Sequence, residues 1–441
     1  MTPDVPPPGA PSPVLVVMLD GLGDRAWPEL DGQTPLEAAS TPSLDALAAA
    51  SATGVLYPLG PGRAPGTELA HFILFGYRPD EYPGRVVFEA TGCGLVLSPA
   101  DVAFRALFST VRRQPDGSLV LVEHFADAED RLCRAVAAEL GEFEHAGFTV
   151  SLTCTGARQG VLTVSGGASE DVTDCDPFFT ERPIAAVRPL GNARDPMAAR
   201  MTAEAVTAFL QHAYRVFREH GPSNDSESLF LLVKWVGRKR ALPTFEQRTG
   251  MNGVLVASGT MLAGLAGELG MGFRTVPSQA DARSDMQRRL AEARAAFAEG
   301  ASFVLLHAKA ADEAGHAKDP LLKRDVIAAM DRGLTSLVER KGLPAGTIVC
   351  VTADHGTPSG TGLIHSGDPV PIAVGGPGVS VDAVERFAEL DCAGGSLGHL
   401  RGEDFMPILL NARGTTRYLG ARLSPHVGLH WPDEYEPFRV E

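Results

Sequence analysis

The sequence predicts an α/β fold built on a parallel sheet, interrupted by a smaller α+β insert. Three observations carry this. The runs Val14–Leu19, Phe303–His307 and Thr347–Thr352 are continuously apolar, as strands buried on both faces of a parallel sheet are. A charged amphipathic stretch from Asp319 to Lys341 separates the last two, which is the spacing of a β-α-β unit. Between about Ser98 and Asn224 the pattern changes to short strands alternating with helices.

Taken in order, residues 1–13 are proline-rich without an apolar face and read as a disordered tail. The first apolar run ends in Asp20-Gly21. Thr41 then stands at an N-cap and Pro42 at the first helical position of a helix running to Ala50. In the middle region Leu119–Glu123, Phe148–Thr153 and Val161–Val164 read as strands, and Asp127–Leu140 and Met201–His220 as helices. Gly221–Ser226 reads as a hinge. The expected organisation is a discontinuous core, 14–97 and 227–441, around an insert, 98–226. No internal repeat is visible.

Bulk properties narrow the function classes. At 441 residues with 44% hydrophobic content the chain supports a large core. A net charge of −15 argues against a general nucleic-acid surface. No apolar run is long enough to span a bilayer and no leader precedes the first strand, so no membrane partner is expected. The six cysteines never form a C-x-x-C pair, which disfavours a disulfide framework and fits a reduced, cytoplasmic setting.

Seven residues form the candidate site: Asp20, Thr67, Asp312, His316, Asp354, His355 and His365. Asp20, Asp312 and Asp354 each follow a predicted strand, and open α/β sheets place ligands at the carboxyl ends of strands. Each has a bland reading: Asp20-Gly21 as a turn, Asp312 as a helix cap, the histidines as loop residues. Thr67 follows Gly66 at a predicted helix N-terminus, where backbone N–H groups attract phosphate. Capping is the ordinary use of such a threonine, and on local sequence alone that reading prevails. Together, however, carboxylates and imidazoles suit zinc or manganese, two such ions clamp a phosphoryl group, and a hydroxyl is at hand as nucleophile.

The chain also carries stretches that resemble one family, and Asp20, Asp312, His316 and His365 lie in them. The stretches are Leu19-Asp20-Gly21-Leu22-Gly23-Asp24-Arg25, Gly32–Ala39, Ala70-His71, Phe75-Gly76-Tyr77 with Gly84-Arg85, Phe88-Glu89-Ala90, Asp101–Arg105, Asp312–His316 and His365–Pro371. In their order, over nearly the whole chain, they resemble the archaeal-type cofactor-independent phosphoglycerate mutases of the alkaline phosphatase superfamily. The resemblance implies an alkaline-phosphatase-like core and two divalent metal ions, manganese or zinc, with no organic cofactor. One ion would be held by Asp20, Thr67, Asp354 and His355, the other by Asp312, His316 and His365. It implies a phospho-threonine intermediate at Thr67, interconversion of 3- and 2-phosphoglycerate, and an insert that closes over the substrate to exclude water.

The chain departs from the family pattern at three places. Gly66-Thr67-Glu68-Leu69-Ala70-His71 stands where the family has Gly-Ser-Asp-Thr-Ala-His. Val122–Ala126 has no arginine where the family has Arg-Ala-Gly-Arg, and Asp176-Pro177-Phe178 replaces Asp-Pro-His. Losing two guanidinium forks from an anion pocket is costly unless others replace them. Arg85, Arg158, Lys309, Arg238 and Arg240 are the candidate substrate contacts. The run Arg238-Lys239-Arg240 reads equally as a relocated anion clamp or a solvated turn. Two rival functions follow: a hydrolase or transferase of another small phosphate or phosphonate, and a non-catalytic metal- or metabolite-binding protein.

Overall fold

The computed structural model describes residues 11–126, 130–156, 158–220, 227–360, 362–416 and 437–440. Fourteen strands are named among them, in chain order: β1 (Val14–Leu19), β2 (Ala52–Tyr57), β3 (Val102–Arg113), β4 (Leu119–Glu123), β5 (Glu142–His145), β6 (Phe148–Gly156), β7 (Gln159–Ser165), β8 (Glu227–Gly237), β9 (Gly253–Ala257), β10 (Gly272–Thr275), β11 (Phe303–Ala308), β12 (Ile348–Thr352), β13 (Val370–Gly375) and β14 (Gly398–Arg401). The chain divides into two compact units, residues 1–82 with 242–441, and residues 83–241.

The first unit holds an eight-stranded sheet in the order β10-β9-β11-β1-β12-β13-β2-β14. Its centre is parallel: β1 pairs with β11 on one side and β12 on the other, Met18 lying opposite both His307 and Thr352. All six residues of β1 are buried, as are those of β11 and all five of β12. That is why the three runs carry no alternation. Toward the other edge β13 is antiparallel to both β12 and β2. The sheet is therefore mixed, not wholly parallel.

Because β11, β1 and β12 are adjacent and parallel, their carboxyl ends finish side by side. This single fact gathers Asp20, Asp312 and Asp354, which are remote in sequence. The stretch after Asp319 forms a helix, Pro320–Gly333, whose first N–H groups at Leu321 and Leu322 donate to the Asp319 carboxylate.

The second unit is α+β. Strand β3 pairs antiparallel with β8 along one side, and with β7 and then β4 along the other, while β6 and β5 continue beyond β7. Phe104, Phe108, Phe209, Phe217 and Leu231 are in its buried core. The expected boundaries shift here. Strand β8 and the helix Arg85–Gly92, both assigned to the core by sequence, belong to the insert, because β8 completes the β3 ladder and the helix buries Val86, Val87 and Ala90 with Ala103 and Val161.

Element boundaries otherwise differ by a few residues. The long insert helix starts at Pro196, its first turn capped by Asp195, and runs to His220. The shorter one is Asp130–Leu140. The expected hinge, Gly221–Ser226, lies outside the described residues, as does most of the expected tail. At the end of that tail the Pro13 carbonyl accepts the Ile348 N–H at 2.8 Å, so the chain is already docked there. All six cysteines are free thiols. Among the described residues no helix is long and apolar enough to cross a membrane.

Thr41 is the N-cap residue of the helix Pro42–Ala48, but its hydroxyl does not cap it. The free N–H groups of Ser43 and Leu44 instead donate to the buried Asp331 carboxylate, at 3.2 and 2.7 Å. Replacing Asp331 by Ala strands two buried donors and lowers stability by about 1–3 kcal/mol, read as a fall in the denaturant midpoint. Thr41→Ala leaves the midpoint nearly unchanged.

Candidate active site

Asp20 is the residue immediately after β1, and Gly21 follows with φ +66°, the left-handed region. A side chain there would also meet Asp312, whose Cα lies 2.7 Å from the position of a Cβ. Only glycine lets the two loops approach so closely. The Gly21 N–H donates to Asp354 Oδ1 at 3.2 Å, binding the β1 loop to the β12 loop. Asp312 lies on a short helix, Ala310–His316, rather than in a loop, and His316 follows one turn later. Thr67 is the first residue of the helix Thr67–Leu74, after the N-cap Gly66.

His355 Nε2 lies 3.2 Å from Thr67 Oγ1, 3.3 Å from Asp20 Oδ1 and 3.3 Å from Asp354 Oδ2. Its tautomer follows from its neighbours. Thr357 gives its one hydroxyl proton to Asp312 Oδ1 at 2.7 Å, and so accepts from His355 Nδ1 at 3.3 Å. Nε2 is left as a bare lone pair. A second centre has the same logic: His365 Nδ1 donates to the Pro65 carbonyl at 2.8 Å, which turns a bare Nε2 toward Asp312 Oδ1, 3.7 Å away. His316 Nε2 lies 3.2 Å from the same oxygen.

Lone pairs of the imidazoles and carboxylates thus converge on one another. Both Asp20 oxygens and Asp354 Oδ2 are buried and make no aligned hydrogen bond, although His307 Nε2 stands 3.1 Å from Asp20 Oδ2. Burial, then the charge of Asp312, pushes the Asp20 carboxyl well above its usual range. Burial, then Asp20 and Asp312, does the same to Asp354. Burial pushes His355 well below the usual imidazole range, with His365 adding to it. Burial opposes ionisation of Asp312 too, but the hydrogen bond with His316 and the neighbouring His355, His316 and Thr357 outweigh it and hold that carboxyl low.

These residues fit a divalent metal. The separations of 3.2–3.3 Å from His355 Nε2 to Thr67 Oγ1, Asp20 Oδ1 and Asp354 Oδ2 are those expected between two ligands that each lie about 2 Å from one zinc ion. A cation there would relieve every unfavourable term just named. Asp312, His316 and His365 form a second ligand group, and Asp312 also groups with Asp20 and His355, so the two centres adjoin.

Sequence reading missed two neighbours. His71 and His307 group with Asp354. His71 Nδ1 donates to the carbonyl of Thr67 at 2.8 Å and lies 3.7 Å from Asp354 Oδ2. Burial first, then nearby positive groups, lowers both imidazoles to about 3. They are neutral props behind Thr67 and Asp20. The four-residue spacing of Thr67 and His71 on one helix face was the available signal; His307, inside an apolar strand, offered none.

Lys323 was missed as well. It is wholly buried, and its ammonium is surrounded by the carbonyls of Gly21, Gly23 and Thr357 at 2.8, 3.0 and 2.9 Å and by Asp24 Oδ2 at 3.0 Å. Asp24 in turn accepts from Trp27 Nε1 at 2.9 Å and Ser359 Oγ at 2.8 Å. The loops after β1 and β12 are therefore tied by one internal cation.

Of the candidate substrate contacts, Lys309 belongs to the first unit and Arg85, Arg158, Arg238 and Arg240 to the second. Lys309 is exposed at the start of the Asp312 helix, and its charge acts on Asp20 and His307. Arg158 Nη1 donates to the Ala126 carbonyl at 2.6 Å. Arg238 donates to the carbonyls of Ala100 and Ala168, and Arg240 to Glu170 at 2.8 Å. These contacts staple loops of the insert. Arg85 differs: it lies over the Trp235 ring.

A sequence model of the Metalloenzyme superfamily matches residues 12–412. The 2,3-bisphosphoglycerate-independent phosphoglycerate mutase of Methanopyrus kandleri is 36% identical over 92% of this chain and 98% of its own length. That of Thermoplasma acidophilum is 35% identical over 92% and 99%. The chain belongs to this family. Among solved structures, the cofactor-independent phosphoglycerate mutase of T. acidophilum superposes with a TM-score of 0.61 at 30% identity, covering 91% of this chain and all of its own. The PH0037 protein of Pyrococcus horikoshii gives 0.71 at 28% identity, covering 93% and 100%. Family membership confirms the α/β core and a divalent-metal enzyme.

Lys323→Met removes the internal cation with little change of volume. We expect a loss of about 3–5 kcal/mol, since Asp24 is left buried and uncompensated, and faster loss of bound manganese on dialysis. A lower melting temperature with unchanged manganese retention would show that Lys323 supports the fold without supporting the site.

Proposed function

We propose that the chain is a 2,3-bisphosphoglycerate-independent phosphoglycerate mutase, converting 3-phosphoglycerate to 2-phosphoglycerate with Thr67 as the phosphoryl carrier. The observation that carries this is the position of the Thr67 hydroxyl, at 3.2 Å from a bare imidazole nitrogen that also faces two buried carboxylates, in a family of that activity.

Asp20, Thr67, Asp354 and His355 would hold one divalent ion, and Asp312, His316 and His365 a second, manganese or zinc. Bound there, such ions polarise the phosphoryl oxygens and favour the alkoxide over the alcohol. The protein supplies the rest. His71 fixes the backbone of Thr67 through its carbonyl, so Oγ1 is presented in one orientation. Thr67 stands at the first position of its helix, after the N-cap Gly66, and the end of a helix with positive dipole favours phosphate.

In the forward step Thr67 Oγ1 loses its proton and bonds to phosphorus as the bond from phosphorus to the substrate oxygen breaks, and that oxygen takes up one proton in exchange. In the return step the adjacent hydroxyl of the same glycerate attacks, loses its proton and displaces Thr67. One phosphoryl group moves and none is lost. If water attacks instead, the product is free phosphate. The threonine and the altered insert stretches are the features that favour such a hydrolase.

Thr67→Ala lowers turnover of 3-phosphoglycerate by at least roughly a thousandfold, as expected for removal of a nucleophile, whereas Thr67→Ser stays within about tenfold. Both are read by the appearance of 2-phosphoglycerate, with free phosphate followed in the same sample. Unchanged turnover in the alanine variant removes Thr67 from the mechanism; phosphate release without isomerisation makes the enzyme a hydrolase. Chelation of divalent ions abolishes turnover, and added manganese restores it.

A further inference from the structure

A cavity of about 420 Å³ opens in the first unit, and none of the seven candidate ligands lines it. Leu59, Ile73 and Pro79 give it an apolar wall, while Arg63 and Arg401 bring cations to it. Its position follows from the sheet. Strand β13 runs against both β12 and β2, so β2 and its parallel partner β14 run in the direction of β1. Tyr57 and Arg401 pair at the ends of β2 and β14. The cavity therefore lies beyond the carboxyl ends of strands, where open α/β sheets hold their ligands.

Its cations are not spent on the protein. Arg158, Arg238 and Arg240 donate to carbonyls and to Glu170. Arg63 and Arg401 are exposed and, among the described residues, form no ion pair. Glu403 is the acid on the same wall, and its charge acts on Arg78. Two guanidinium groups beside one carboxylate leave an excess of positive charge here, in a chain whose net charge is −15. Guanidinium forks match the oxygens of phosphate and carboxylate. Apolar walls with a few convergent polar groups, at this volume, are the ordinary make-up of a small-molecule site.

The cavity is built on the segment that presents Thr67. Residues 58–66 join β2 to the helix Thr67–Leu74, and Ile73 of that helix lines the cavity as well. Gly60 and Gly62 have φ of +96° and +73°, which lets the segment fold back on itself. The Gly62 N–H donates to the Gly367 carbonyl at 3.1 Å. A Cβ at Gly367 would lie 2.2 Å from the Gly62 carbonyl carbon, so the two loops are in close contact. Just beyond Arg63, the Pro65 carbonyl accepts from His365 Nδ1 at 2.8 Å. One short loop thus carries a wall of the cavity, the support of His365 and the lead into Thr67.

We propose that this cavity is an effector site for a small organic anion, a phosphate or carboxylate group on an apolar body, bound by Arg63 and Arg401. Occupancy holds residues 58–66 in the arrangement that seats His365 and Thr67, and so raises the affinity of the neighbouring centre for a divalent metal. A first ligand that orders a segment spares the second ligand that cost, and the effect is reciprocal. The coupling rests on the reading of His365 as a metal ligand. The anion site does not, and neither depends on the mutase reaction.

The test uses the full-length, manganese-loaded protein and phenylphosphonate, a non-hydrolysable anion with an apolar ring. Phenylglyoxal modification of Arg63 and Arg401, mapped by peptide mass spectrometry, slows in its presence, and more than with inorganic phosphate at the same concentration. Manganese affinity, measured by competition with a chelating indicator, rises about fivefold when phenylphosphonate is added, the lower end of ordinary coupling between sites. In the double variant Arg63→Gln/Arg401→Gln that rise is lost, while the melting temperature stays that of the parent, since both side chains are exposed. Failure to protect Arg63 and Arg401 overturns the proposal. So does a manganese affinity that phenylphosphonate leaves unchanged, or raises equally in the double variant, which would place the anion on the metals themselves. Neither readout involves turnover, so a failure to isomerise 3-phosphoglycerate retires the mutase reading and leaves this site standing.

Discussion

Asp20, Asp312 and Asp354 are forced into one dry volume by the sheet, and everything around them is arranged to make that tolerable. Their strands are neighbours and parallel, so the carboxylates cannot separate without breaking the core. Like charges at such distances, away from water, are strongly unfavourable unless neutralised. The chain solves only part of this with its own hydrogen bonds. It leaves both Asp20 oxygens and Asp354 Oδ2 without aligned donors, and it turns the bare nitrogens of His355 and His365 inward. A divalent cation held there would complete the balance, and its field would activate Thr67.

Around that constraint lies a layer that holds the ligands still. Lys323 is an internal cation with fixed position, and its four oxygen partners come from the loops after β1 and β12. Gly21 permits the contact with Asp312 that any side chain would block. His71 and His307 prop Thr67 and Asp20 from behind, both kept neutral by burial. Metal ligands need such support because an imidazole or carboxylate free to turn offers a metal no defined geometry.

Much of this was legible in the sequence. Continuous apolar runs identified the central strands, and the acid after each run marked the carboxyl edge. The seven candidate residues are brought near one another, and Asp20, Asp312 and Asp354 were the readable part because each follows closely on a strand end. What stayed hidden was long-range. Lys323 reads as one more charge on an amphipathic helix, and His307 as an interruption of an apolar strand; only the fold shows what each touches. The insert boundary was misplaced because β8 is an apolar strand whose partner, β3, lies over a hundred residues earlier. Arg238 and Arg240 were read as a cationic cluster, whereas their guanidinium groups are directed to carbonyls and to Glu170.

The most direct test is to count and locate the metal. The full-length protein, dialysed against manganese and crystallised, should show two anomalous scattering peaks per chain. One is expected among Asp20, Thr67, Asp354 and His355, and the other among Asp312, His316 and His365. A single peak, or peaks elsewhere, would contradict the claim that these converging lone pairs exist to hold two cations around Thr67.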